Sequence, residues 1–116
     1  IFSGNQNRSK MKSAQFQRDK MQEELNLHIK KEELELNKTK RDLTDLQIEI
    51  NKQNTSVGQA DEALRILTNR HHEGLASTTD LLMAQAQLSQ QKLLLSQSIM
   101  SYNITEAYLN FLSKTK

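Results

Sequence analysis

The chain has 116 residues, 35% of them hydrophobic and 4% aromatic, with 16 basic against 14 acidic side chains for a formal charge of +2. So little apolar material excludes a thick globular core, and a near balance of interleaved charge gives no clustered basic face for nucleic acid. Pro and Cys are absent and only Gly4, Gly58 and Gly74 interrupt the side chains, so few positions force a helix to break, and the redox compartment is left open.

Ile1-Phe2 is a short apolar start followed by Ser3-Gly4-Asn5, whose turn chemistry could supply an N-cap. A helix is predicted from about residue 5 to residue 73, roughly 100 Å at 1.5 Å per residue. Its apolar seam recurs at steps of seven through Ile29, Leu36, Leu43, Ile50, Val57 and Leu64. Leu25, Leu46, Ala60 and Leu67 are the companions, with Glu32, Thr39 and Gln53 filling the gaps. A strict seven-residue repeat in a helix of 3.6 residues per turn implies a left-handed supercoil against a partner. Before residue 25 the repeat blurs, with Met11, Ala14, Phe16 and Met21 as the apolar positions. Gly58 falls in mid-helix, as a point of close approach or a soft spot. Lys30, Lys31, Lys38, Lys40 and Arg41 alternate with Glu32, Glu33, Glu35 and Asp42, the pattern of a solvated face carrying pairs four residues apart.

Gly74 suits the positive φ that stops a helix, and Ser77 with Asp80 three residues on forms a capping-box pattern that starts another. Only Leu75 and Ala76 separate the two signals, so the helices must run antiparallel as neighbours, with a tip at residues 74–76. The second helix is predicted over about 77–114, with its own step-seven row of Leu81, Leu88, Leu95, Tyr102 and Leu109. Leu88 and Leu95 are expected to face the Leu64, Val57 and Ile50 stretch. Further apolar residues, among them Leu82, Leu93, Leu94, Ile99, Met100, Ile104 and Phe111, give this helix a second apolar face and so a second neighbour. Folded back from the tip, it reaches only about residues 35 to 73 of the first. The fold class is therefore all-α, a single long antiparallel coiled-coil-like hairpin spanning 1–116 whose first helix is about twice the length of the second.

The remaining faces are rich in Gln, Asn and Ser, which suits plain solubility and a wet lumen equally. Adjacent His71 and His72 point about 100° apart on a helix and lack the spacing for chelation, so no metal site is expected, and no cofactor motif is present. No catalytic triad or paired carboxylates could be shielded from water on such a rod, so no enzyme is expected. No apolar run approaches the roughly 18 residues of a membrane-spanning helix.

Taken together, Arg70-His71-His72-Glu73-Gly74-Leu75-Ala76-Ser77-Thr78-Thr79-Asp80-Leu81-Leu82-Met83-Ala84-Gln85 resembles the tip of the TolC-type outer-membrane efflux proteins. There the pattern is Arg-Tyr, two residues, Gly, a small or hydroxyl residue, then Asp-Leu-Leu-(Asp)-Ala-Gln. The opening Ile1-Phe2-Ser3-Gly4-Asn5 is similar to the place where a membrane β-strand of that family ends and a long periplasmic helix begins. The resemblance covers essentially the whole chain and implies part of a longer protein: a segment of the periplasmic helical barrel of a trimeric outer-membrane channel in a Gram-negative cell. It implies adaptor docking at Gly74, Leu75, Ala76 and Ser77, gate-like positions at Arg70, His71 and Asp80, and indirect coupling to an inner-membrane pump. His71 replaces the usual aromatic, Glu73 an apolar residue and Met83 an acidic one, so an acidic constriction ring is not implied at 83. The alternatives are a structural coiled-coil spacer, which leaves the tip unexplained, and the adaptor hairpin of the same machinery.

With Met11, Phe16, Met21, Leu25 and Ile29 lacking an intrachain cover, the isolated chain is expected to be helical and self-associating. Sedimentation equilibrium over a wide concentration range checks this, and a monodisperse monomer with a protected N-terminal third counts against the open hairpin.

Overall fold

The computed structural model describes residues 2–114, and side chains from 4 to 114. Two helices, α1 (Phe2–His72, 71 residues) and α2 (Thr78–Lys114, 37 residues), account for nearly all of it. The expected all-α hairpin, with a first helix about twice as long as the second, is what forms. Helix α1 already includes Phe2 through Asn5, so the Ser3-Gly4-Asn5 turn chemistry is overridden by the helix that follows and does not cap it near residue 5. Ile1 lies outside the described residues.

The chain divides into two compact units, Ile1–Lys38 and Thr39–Lys116. In the second, α2 and the C-terminal part of α1 pack through one seam each. In α1 the protected positions are Thr39, Leu43, Leu46, Ile50, Gln53, Val57, Ala60, Leu64, Leu67 and His71, with Ser56 and Thr68 beside them. They advance in alternating steps of four and three, which keeps one stripe of a supercoiled helix facing its partner. The α2 stripe is Leu81, Ala84, Leu88, Gln91, Leu95, Ser98, Tyr102, Thr105, Leu109 and Leu112. Its first row is the step-seven row read from the sequence; its second row is small or polar until Leu112. Leu64, Val57 and Ile50 of α1 and Leu88 and Leu95 of α2 all lie on these protected stripes.

Two helices shield a narrow stripe, so Leu88 is the one apolar side chain that is buried among the described residues, while Leu95 is half-buried. Thr39 and Ser98 are buried with it. Gln53 brings a further polar group to the seam: its Nε2 donates to Glu49 Oε1 at 3.3 Å, and its Oε1 is buried without a hydrogen-bond partner. The outer face of α1 is wet and charged. There Arg65 grips Glu62 one turn away, with Nε donating to Oε2 at 3.0 Å, and these hydrogen bonds hold the Glu62 carboxyl below the usual carboxylate range.

In the first unit every described side chain from Gly4 to Lys31 is exposed, including Met11 at 72%, Phe16 at 71% and Met21 at 69%. The blurred repeat here has a definite form. Met11, Ala14, Arg18, Met21 and Leu25 advance by three and four, then a second consecutive step of four reaches Ile29 and rejoins the later rows. That double step is a stutter, an eleven-residue spacing that locally relaxes the left-handed supercoil a partner would follow.

Truncating Leu88 to Ala is expected to cost about 2 to 3 kcal/mol, near the low end for buried leucine because its surroundings are open on the outer side. Met100→Ala on the exposed face of α2 is expected to change stability by less than about 0.5 kcal/mol. A Cβ at Gly58 would meet nothing within 4 Å, so this glycine is a soft spot and not a close approach. Gly58→Ala should accordingly stabilise by about 0.5 to 1 kcal/mol. Urea unfolding at fixed concentration measures all three.

Candidate functional site

The helix stop at the tip is built by backbone hydrogen bonds. Gly74 has φ of +77°, the left-handed conformation that glycine adopts without a Cβ penalty. Its N–H donates to the His71 carbonyl at 3.1 Å, and the Leu75 N–H donates to the Arg70 carbonyl at 2.8 Å. This pair of bonds, one spanning three residues and the other five, is the Schellman closure, and it satisfies two carbonyls that the end of α1 leaves open. The restart is built by Ser77, whose Oγ accepts the Asp80 N–H at 3.1 Å while its carbonyl accepts the Leu81 N–H at 3.2 Å. Ser77 is thus the N-cap of α2. The connection between the helices runs from Glu73 to Ser77.

Within this turn Leu75 is 74% exposed and Ala76 is half-buried. Gly74 and Ser77 are exposed but committed to backbone geometry. Of the four positions expected at a docking tip, three are exposed, and Leu75 is the one large apolar side chain among them. Of the gate-like positions, Arg70 and Asp80 are exposed and form no ion pair with each other, while His71 is half-buried at the last layer of the seam. His71 Nε2 lies 3.2 Å from Thr78 Oγ1, a hydrogen bond that joins the end of α1 to the start of α2. The ring of His72 meets that of His71 edge-on, centroids 6.4 Å apart and planes at 71°. Thr78 has no signature in the sequence as a partner of His71; seven residues apart, they meet only because the turn reverses the chain.

The electrostatics follow the helix ends. Arg70, His71 and His72 occupy the last turn of α1, where the helix dipole favours positive charge, and Asp80 occupies the first turn of α2, where it favours negative charge. Among the described residues no group of three or more His, Cys, Asp or Glu side chains is arranged to hold a metal ion. No described helix is long and apolar enough to cross a membrane.

The face of α2 turned away from α1 carries a second row with the same spacing as the first. Met83, Ala86, Gln90, Leu93, Gln97, Met100, Ile104, Ala107 and Phe111 advance by three and four, and all are exposed, the five large apolar ones at 58 to 67%. With 3.6 residues per turn, the midlines of the two α2 seams lie about 160° apart.

A Cβ at Gly74 would meet nothing within 4 Å, so Gly74→Ala strains only the backbone. It is expected to cost about 1 to 2 kcal/mol, and Ser77→Ala about 1 kcal/mol through loss of the N-cap; thermal unfolding followed by circular dichroism reads both. Compared with known proteins, the chain matches no family model, no curated protein and no solved structure.

Proposed function

We propose that this chain is a segment of the periplasmic helical barrel of a trimeric outer-membrane efflux channel of the TolC type, with its tip docking a periplasmic adaptor protein. The reading rests on the ordered tip, Arg70 through Gln85, which resembles that family. Its Gly74 stop and Ser77 restart are the backbone events that the Gly and hydroxyl positions of that pattern call for. The two seams of α2 support the wall-like part of the proposal. Helices of a compact four-helix bundle have neighbours about 90° apart, whereas about 160° suits a member of a broad, gently curved wall with one helix on either side.

In this reading adaptor recognition depends on shape. Leu75 supplies the apolar knob, Ala76 allows close approach, and Gly74 and Ser77 fix the backbone that presents them. Glu73 lies at the rim, where an exposed charge contributes little to affinity. The inner-membrane pump is reached through the adaptor, and the neutral Gln, Asn and Ser faces meet the aqueous duct.

The test is drug susceptibility of cells carrying the full-length channel, with delivery to the outer membrane measured by surface labelling. Gly74→Val is expected to abolish most efflux while Glu73→Gln leaves it within about twofold. Gly74→Val channels delivered in normal amount with full efflux would overturn the docking assignment.

A further inference from the structure

Over the whole chain the charges nearly cancel, but they do not cancel evenly. Residues 1–21 hold Arg8, Lys10, Lys12, Arg18 and Lys20 against Asp19 alone, whereas residues 22–38 hold three basic against five acidic side chains and residues 39–116 eight of each. Within the basic stretch Arg8, Lys12, Phe16 and Lys20 follow one another at steps of four, so three cations and one aromatic ring share an arc of about 120° on α1. All four are exposed, Phe16 at 71%, and among the described residues none of the three cations is in an ion pair. Phe16 lies about 180° from the midline of the Met11, Ala14, Arg18, Met21 and Leu25 row, which leaves that row free for a neighbouring helix. We propose that the Arg8–Lys12–Phe16–Lys20 face of α1 docks on the surface of an anionic phospholipid bilayer, with the cations on headgroup phosphates and the Phe16 ring between them at the acyl boundary.

Charge and chemistry together select the occupant. An anionic leaflet attracts a local excess of Lys and Arg, and the long stems of these side chains let the charged heads stay among the phosphates while the backbone lies closer in. A helix is about 10–12 Å across and the Debye length at physiological salt is about 8 Å, so Lys10 and Arg18, on the far side, still add to the attraction. The exposed ring tells a lipid surface from a nucleic acid. An interface accepts an apolar side chain between its headgroups, whereas a sugar-phosphate backbone gives it nothing to enter. Single strands are held by successive stacking aromatics, and Phe16 is the one Phe, Tyr or Trp whose side chain is described in the first unit. Past Lys20 the step-four row turns acidic at Glu24 and Glu32, which ends the attractive face after about 20 Å.

This contact lies in the first unit and uses no residue of the tip. It goes beyond the channel reading without resting on it, and it stands or falls separately from adaptor docking.

The experiment sediments the full chain with sucrose-loaded vesicles, of phosphatidylcholine alone or of phosphatidylcholine and phosphatidylglycerol in equal parts. Binding to the anionic vesicles is expected to be tighter by about tenfold or more and to weaken as salt is raised. Lys12→Glu combined with Lys20→Glu should weaken it by about twentyfold or more, and Phe16→Ser by about threefold to tenfold. Lys40→Gln combined with Arg41→Gln, which removes two cations from the neutral second unit, should leave it within about twofold. All these side chains are exposed, so helicity by circular dichroism is expected to stay unchanged. The chain has no natural tryptophan, so Phe16→Trp reports on the ring position alone: its fluorescence should shift to the blue on anionic vesicles and not on neutral ones. Equal affinity for the two vesicle types, or none for either, would overturn the proposal. A loss in the Lys40 and Arg41 variant as large as that in the Lys12 and Lys20 variant would do the same, since overall charge and not this face would then be the cause. An unshifted Phe16→Trp spectrum on anionic vesicles would overturn the docked face, and release from the vesicles by a single-stranded oligonucleotide at equal phosphate concentration would assign it to nucleic acid instead.

Discussion

A pair of helices can hide only the rows that face each other, and that limit governs the rest of this molecule. Each seam residue gains neighbours from one opposing helix and keeps water on its flanks, which is why Leu88 is buried while Leu81, Leu95, Tyr102 and Leu109 stop half-way. Stability is therefore spread along a long, thin contact in which every layer contributes a modest amount. A chain with 35% hydrophobic content can build such a structure because it needs apolar side chains only along stripes. The same limit leaves whatever apolar surface lies off the stripe in contact with water, on the back of α2 and along the first unit.

Much of this architecture is legible in the sequence, and the parts that are not share a cause. The rows through Leu36, Leu43, Ile50, Val57 and Leu64, and through Leu81, Leu88 and Leu95, are visible because bulky residues repeat at seven. Glu32 and Thr39 can be placed as gap-fillers only because those rows fix the phase. The companion row of α2 escapes because Ala84, Gln91, Ser98 and Thr105 are small or polar, while Leu82, Leu93 and Leu94 draw attention to positions that end up exposed. Hydrophobicity marks where a helix has an apolar face, but which of two faces meets the intrachain partner is decided by the geometry of the turn. At the tip, the Gly74 stop and Ser77 cap are local signals and easily read. The His71 to Thr78 bond is long-range in conformation and silent in sequence. At the N-terminus, the turn preference of Ser3-Gly4-Asn5 yields to helix propagation, since each added residue after nucleation gains a hydrogen bond.

The middle of the hairpin is not optimised for strength. Gln53 turns one side of its amide toward Glu49 and leaves the oxygen buried, at a cost of about 1 to 3 kcal/mol for an unmet acceptor. Thr39 and Ser98 add two more buried polar side chains to the same pair of stripes, so apolar contact is interrupted at several levels along the hairpin.

The scarcity of charge on α2 determines how this helix responds to its surroundings. With Lys92 alone between Leu81 and Thr105, contacts made by its outer face carry almost no Coulombic contribution, and moving from dilute buffer to physiological salt leaves them nearly untouched. Their driving force is dehydration of Met, Leu, Ile and Phe side chains, whose signature is a negative heat-capacity change on assembly and weakening in the cold. Helix α1, studded with Lys, Arg, Asp and Glu, obeys the opposite rule. One chain thus presents two surfaces tuned to different solution variables, temperature for one and ionic strength for the other.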